Sequence, residues 1–294
     1  MKRKDVANTF RVKDGDEFRL SRVQPGETLG FKSKEEVAET VARGVERLSA
    51  LQEKLYAQDR WAVLLIFQAL DAAGKDSTIK HVMSGVNPQG CQVYSFKAPS
   101  TEDLDHDFFW RAAKSLPERG RIGIFNRSYY EEVLVVRVHP EILAREKLPK
   151  TVVTKHIWKE RFEDIVAFER HLARSGTLIL KFFLHVSRAE QRRRFLERLD
   201  KTAKNWKFSA ADLTERQHWD AYMHAYEEMI QHTASAGAPW FVVPADHKWF
   251  TRLVVVEAII AALEKLDLAF PTVAPQERKA LRAARAELER ERNA

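Results

Sequence analysis

Residues 61–78, WAVLLIFQALDAAGKDST, run from a continuous apolar stretch through small residues and an aspartate into Gly74-Lys75. An apolar run of this length suits a strand buried on both faces of a parallel sheet. The turn after it would aim backbone N–H groups and the start of the next helix at an anion, with Lys75 as a point charge. The expectation is a phosphate-binding loop, although Ala69 and Asp76 stand where G-x-x-x-x-G-K-[ST] has Gly and Ser or Thr. Asp71 and Asp76 flank the lysine. Carboxylates beside a phosphate make sense with a divalent cation between them, Mg²⁺ or Mn²⁺, and Asp71 is the expected ligand. For Gly74-Lys75 taken alone, an ordinary strand, turn and helix with a surface lysine is the alternative.

Five strand candidates, 61–67, 91–97, 121–126, 177–185 and 240–244, are separated by segments long enough to hold helices. That alternation predicts a parallel five-stranded sheet with helices on both faces, a three-layer α/β/α architecture. Residues 1–30 read as an irregular arm packed on the core, and Ser33 with Glu36 as a capping box opening a helix to about Tyr56. The expected organisation is an arm and helix over 1–58, a main domain over 59–270 with a lid near 188–212, and a charged helical tail over 271–294.

A net charge of +7 and a pI near 9.4 fit a polyanionic partner: a nucleotide, a nucleic acid or an inorganic phosphate polymer. The single cysteine, Cys91, excludes an intramolecular disulfide. The first residues lack an apolar signal core and no run of about 18 apolar residues occurs, so a soluble cytoplasmic protein without a membrane partner is expected.

Three further clusters carry chemistry. The run GIFNRSYYEE follows the third strand candidate and brings Asn126 and Arg127 to the sheet edge that holds Asp71 and Lys75. P-loop enzymes usually carry a metal-binding Asp at the position of Asn126, so Glu131 or Glu132 is the expected substitute ligand. Alternatively, Asn126 caps a helix and Arg127 pairs with a glutamate. In KAPSTEDLDHDFFWR, Lys97 and Arg111 suit a nucleotide's phosphate and an aromatic its base, while Phe108, Phe109 and Trp110 read more readily as core than as a base platform. Between Arg188 and Lys207 eight bases meet three acids, which reads as a lid over phosphates or as a solvated helix. No zinc spacing, nucleophile elbow or dinucleotide fingerprint competes.

Together these segments resemble the polyphosphate kinase 2 family, most closely its class III subgroup. ALDAAGKDSTIKHVMSGVNPQG resembles the family's Walker A region and FNRSYYEEVLVVRVHP its Walker B region. SFKAPSTEDLDHDFFWR resembles its nucleotide-side segment, and ERLDKTAKNWKFSAADLTERQHWDAYMHAYEEM its lid. The resemblance implies a thymidylate kinase-like P-loop fold and Mg²⁺-dependent transfer from inorganic polyphosphate to AMP and ADP. It implies catalytic roles for Asp71, Lys75, Arg127 and Arg198, with Asp71, Glu131 and Glu132 on the metal. Phosphates would meet Ala72, Ala73, Gly74, Asp76, Ser77, Thr78, Arg188, Arg194, Lys201 and Lys204. The nucleotide would meet Lys97, Pro99, Glu102, His106, Asp107, Arg111, Asn126 and Tyr130. Asn126 is similar to the subgroup that accepts both AMP and ADP, a guanine nucleotide being a further acceptor. A homo-oligomer, dimer or tetramer, with no nucleic-acid partner, is the implied state. An ATP-dependent monophosphate kinase and a non-catalytic polyanion-binding module are the alternatives.

Overall fold

The chain is described here by a computed structural model over residues 3–291. Strand β2 (Ala62–Gln68) is buried at all seven positions, as an apolar run between two helical layers requires. It lies at the centre of a six-stranded sheet with β1 (Arg11–Val12), β3 (Cys91–Ser95), β4 (Ile122–Asn126), β5 (Thr177–His185) and β6 (Trp240–Pro244), in the order β1-β6-β5-β2-β4-β3. Five of these strands are parallel and match the segments expected from the apolar runs. The sixth is an addition. The arm read as irregular forms helix α1 (Arg3–Thr9) and β1, which pairs antiparallel with β6 through Arg11 opposite Phe241. Val6, Ala7 and Phe10 anchor this arm in the core.

Helix α2 (Lys34–Gln58) buries Val37, Val41, Gly44, Leu48, Gln52 and Leu55 at three- and four-residue spacing, one face of a 3.6-residue period. It packs on α7 (Lys248–Leu263), itself buried almost throughout. Ser33 takes the N-cap position of α2 without a side-chain cap, and Glu36 instead accepts from Lys32 N–H, so the expected capping box does not form. Helices α3 (Lys75–Val82), α4 (Ile157–Arg174), α5 (Arg188–Asp200) and α6 (Trp219–Thr233) complete the two layers. Helix α8 (Pro275–Glu291) is exposed along its length.

After β2 the chain travels through α3 to β3 at one edge, and after β4 it crosses to β5 on the other side of β2. The carboxyl ends of β2 and β4 therefore form the switch point where an open parallel sheet leaves a crevice. Behind it, Lys181 on β5 is fully buried. Its Nζ donates to Glu169 at 2.6 Å, to the Tyr130 hydroxyl at 3.0 Å and to the Thr233 carbonyl at 2.8 Å. Tyr129 and Tyr130 both donate to Glu169. Every charge in this buried group thus has a partner, the condition under which such a group is tolerated. It also removes Tyr130 from nucleotide contact: the side chain is 0% exposed and its hydroxyl is engaged in the core.

Candidate active site

The turn after β2 is held in a shape that side chains ordinarily avoid. Ala72 has φ 61° and Gly74 φ 108°, and Arg127, just past β4, has φ 64°. Left-handed non-glycine residues cost energy and persist where surrounding bonds over-determine them. Arg194 of α5 supplies those bonds. Its Nη1 donates to the Ala72 and Ala73 carbonyls at 2.9 and 2.7 Å, its Nη2 to Ala245 and Asp246 at 2.6 and 3.0 Å, and its Nε to Glu190 at 2.7 Å. All five guanidinium donors are thereby engaged on a side chain 4% exposed. Arg194 borders the cleft over this loop, as expected of a polyphosphate contact, but with every donor engaged inside the protein it clamps the loop to the end of β6.

Lys75 begins α3 and folds back, donating from Nζ to the Ala69 carbonyl at 2.6 Å. Burial lowers its pKa, against the pull of Asp71. Asp71 accepts from Arg127 Nη2 at 2.8 Å, and Glu131 lies 3.7 Å from Arg127 Nη1. Burial pushes the Asp71 carboxyl up, but Lys75, Arg127 and Arg198 together outweigh it and hold the group below its ordinary range. Glu131 is shifted the other way, upward, because burial dominates over Arg127 and Lys75. Asn126 donates to Asp76 at 2.7 Å, joining the second turn to the start of α3.

Two clefts meet here. The first, about 560 Å³, is lined by Asp71, Ala72, Ala73, Gly74, Lys75, Asp76, Ser77, Asn126, Arg127, Arg198 and Lys204, all expected, and also by Lys207, Glu197 and Lys248. The second, about 230 Å³, is lined by Pro99, His106, Asp107, Arg111, Glu131 and Glu132. Lys97, Ala98 and Arg127 border both, so the seam lies at the carboxyl ends of β3 and β4. Lys248 carried no motif to mark it. It opens α7 directly after β6, and the rule that ligands collect at carboxyl strand ends was the signal available.

Several expected residues stand elsewhere. Thr78 turns inward and is 1% exposed. Arg188 lines a separate hollow with Trp219 and Glu227. Glu102 is solvent-exposed on the short helix Thr101–Leu104 and borders neither cleft. Lys201 is exposed and, with Lys204, donates to Glu197 at 2.8 and 2.7 Å. These bonds hold Glu197 down at about 2. Glu132 accepts from Arg161 Nε at 3.0 Å and is 5% exposed, so the expected metal ligand is engaged by a guanidinium instead. Among the described residues no cluster of three or more His, Cys, Asp or Glu is placed to hold a metal. Mg²⁺ takes one or two carboxylates and fills the rest of its shell with phosphate oxygens and water, so the ionised Asp71 in the first cleft, beside Arg127, fits such an ion.

Residues 31–271 match the family model described as Polyphosphate kinase 2. The chain belongs to the polyphosphate kinase 2 family. The ADP-polyphosphate phosphotransferase of Rhodopseudomonas palustris is 54% identical over 280 residues, spanning 95% of this chain and 97% of that protein. The AMP/ADP-polyphosphate phosphotransferase of Meiothermus ruber is 43% identical over 263 residues, spanning 89% and 94%. The crystal structure of polyphosphate kinase 2 from Arthrobacter aurescens superposes with a TM-score of 0.85 at 38% identity, covering 95% of this chain and 96% of that one. The mostly parallel sheet with its phosphate-type loop is thus the architecture of a polyphosphate kinase 2 protein. Among the described residues no helix is long and apolar enough to cross a membrane.

Proposed function

We propose that the chain transfers the terminal phosphoryl group of inorganic polyphosphate to AMP and to ADP, giving ADP and ATP, in a reversible reaction supported by Mg²⁺ or Mn²⁺. The observation that carries this reading is the seam itself: a cleft rich in Lys and Arg and a cleft of mixed polar and apolar character open onto the same Arg127 and Lys97. A polyanion fits the first and a nucleotide the second. The acceptor reading also draws on the two relatives named for ADP and for AMP/ADP. Asn126, by which the chain resembles the subgroup that accepts both, favours both acceptors here.

The acceptor's terminal phosphate oxygen is already anionic, so the transfer needs no protein nucleophile. That oxygen forms the new P–O bond in line with the breaking P–O bond, and the shortened polyphosphate leaves with the electron pair. Lys75 and Arg198 hold the donor's terminal phosphates, and Arg127 neutralises charge on the transferring group at the seam. Asp71 would hold the cation, which when bound would supply charge neutralisation to the reacting phosphates. Arg194 keeps Ala72 and Ala73 in the strained turn that presents the loop's N–H groups. Lys204, Lys207 and Lys248 extend the cationic wall away from the reacting phosphate. We place this enzyme in the cytoplasm as a homo-oligomer, its partners being polyphosphate and adenine nucleotides.

The test is nucleotide chromatography after incubation with Mg²⁺ and polyphosphate plus AMP, or plus ADP, beside an ATP-plus-AMP control. ADP and ATP formed from AMP only with polyphosphate present is the expected result. Product from ADP alone would remove the AMP half of the proposal. Product only in the control would replace it with an ATP-dependent monophosphate kinase.

A further inference from the structure

In the loop after β2 every carbonyl from Ala69 to Gly74 accepts from a donor inside the protein. Lys75 Nζ donates to Ala69 at 2.6 Å and to Leu70 at 3.5 Å, and Arg194 Nη1 donates to Ala72 and Ala73. Thr78 N–H and Ser77 Oγ donate to Gly74 at 3.0 and 2.9 Å. The remaining carbonyl, that of Asp71, accepts from Gln191 Nε2 at 3.0 Å. Gln191 lies one turn before Arg194 on α5 and is 3% exposed. Its Oε1 accepts from Arg216 Nη1 at 2.6 Å, in the turn Arg216–His218 that precedes α6. A guanidinium offers donors only, so Arg216 fixes which way the amide points, oxygen toward itself and NH₂ toward Asp71. Arg216 keeps this place although burial and the like charges of Arg188 and Arg192 all act against its ionised form.

The Asp71 carbonyl and the Ala72 N–H belong to one planar trans peptide and point in opposite directions. A bond that draws the carbonyl toward α5 therefore turns the N–H away from α5, and Ala72 lines the first cleft. Among the described residues no acceptor takes that N–H. The orientation of the same peptide sets φ of Ala72 at 61°. Turning the peptide over would return Ala72 to an ordinary φ and carry its N–H out of the cleft. We propose that Gln191 is a positioning residue for phosphoryl transfer: with its amide set by Arg216, it holds the Asp71–Ala72 peptide in the strained orientation that presents the Ala72 N–H to the donor's terminal phosphates. This role rests on the reading of the first cleft as the polyphosphate site. Gln191 borders neither cleft and acts through this peptide, while Arg194 secures the two peptides that follow.

Binding of inorganic tripolyphosphate and of ADP is measured by calorimetry on wild type, Gln191→Ala, Gln191→Glu, and Gln191→Ala combined with Ala72→Gly. Steady-state kinetics of polyphosphate-dependent ADP phosphorylation run beside it. Gln191→Ala is expected to weaken tripolyphosphate binding by about tenfold, the scale of an alanine's preference against the left-handed region, with no matching loss for ADP. Gln191→Glu still accepts from Arg216 but has no proton for the Asp71 carbonyl, and is expected to lose as much as Gln191→Ala. Glycine carries no penalty at positive φ, so adding Ala72→Gly is expected to bring Gln191→Ala back to within about threefold of wild type. Across the series kcat/KM for polyphosphate should follow the tripolyphosphate affinity while KM for ADP holds. Calorimetric stoichiometry reports the folded fraction, so each affinity is that of folded protein. Tripolyphosphate affinity retained by Gln191→Glu, an equal loss for ADP, or no recovery with Ala72→Gly overturns the proposal, as does a wild type that does not bind tripolyphosphate. A wild type that binds it without polyphosphate-dependent turnover would overturn the transfer reading, while the affinity ratios would still decide the role of Gln191.

Discussion

Arg127 Nη2 lies 2.8 Å from Asp71 Oδ1, so the turn after β4 is tied to the turn after β2 at the seam of the two clefts. The pair sets a carboxylate suited to a cation beside a guanidinium suited to the transferring phosphate. Neither is deeply buried: the side chains are 36% and 35% exposed. Their ion pair therefore adds little to stability, and its worth lies in position.

Asp71→Asn should accordingly lower turnover by at least about a hundredfold, the scale of losing a principal electrostatic element. The melting temperature should stay nearly unchanged. Parallel measurements of kcat and thermal unfolding check this, and a folded variant with near-normal turnover would take Asp71 out of the mechanism.

Arg194 and Arg198 sit one turn apart on α5 and should fail in opposite ways. Arg194→Ala strands the carbonyls of Ala72, Ala73, Ala245 and Asp246 and should cost about 3 kcal/mol of stability, as removing one member of a buried charged network does. Arg198 lines the first cleft and donates to the Lys207 carbonyl at 3.2 Å. Its replacement by Ala should leave stability within about 1 kcal/mol and reduce kcat/KM for polyphosphate. Urea unfolding with kinetics on both variants separates the two roles; equal destabilisation would refute the distinction.

Glu197 places a carboxylate in the wall of the cleft proposed for polyphosphate and occupies Lys201 and Lys204. Glu197→Gln removes that repulsion and frees both lysines, so the KM for polyphosphate should fall by about threefold to tenfold, roughly 1 kcal/mol of charge interaction. A steady-state titration with polyphosphate reads it, and a raised KM would mean that Glu197 orders the lysines usefully.

His185, at the carboxyl end of β5, is 8% exposed, and burial holds it down at about 4 despite Asp246. Its folded-state value lies below the unfolded one, so between pH 6.5 and 4 the unfolded chain binds a proton that the native chain does not. This contribution is complete above pH 6.5 and is lost as pH falls toward 4, by about 3 kcal/mol in all. His185→Gln should lose less stability than wild type between pH 7 and pH 4.5 in urea titrations. Parallel slopes would contradict the assignment.

Much of the fold was legible because its signals are local. The apolar runs that became β2, β4, β5 and β6 lie within a residue or two of the strands, and Gly74 with Lys75 does open α3. What escaped depends on partners far apart in the chain. Arg194 reads as one more lid cation until Ala72 and Ala245, about 120 and 50 positions away, take its donors. Tyr130 stands in a motif beside Arg127, yet Glu169 and Lys181 draw it into the core. The edge strand Arg11–Val12 is too short to carry a period, and pairing with β6 alone defines it. Gln191 belongs to no motif and gains meaning only where it meets the Asp71 carbonyl and Arg216.

Following ³²P from labelled polyphosphate into ADP, with wild type beside Lys75→Ala, tests the central claim most directly. Label should appear at the γ position of ATP with wild type and fall by about a hundredfold or more with the folded Lys75→Ala variant, whose principal electrostatic contact is gone. Unlabelled ATP, or equal labelling by both proteins, would contradict phosphoryl transfer at this loop.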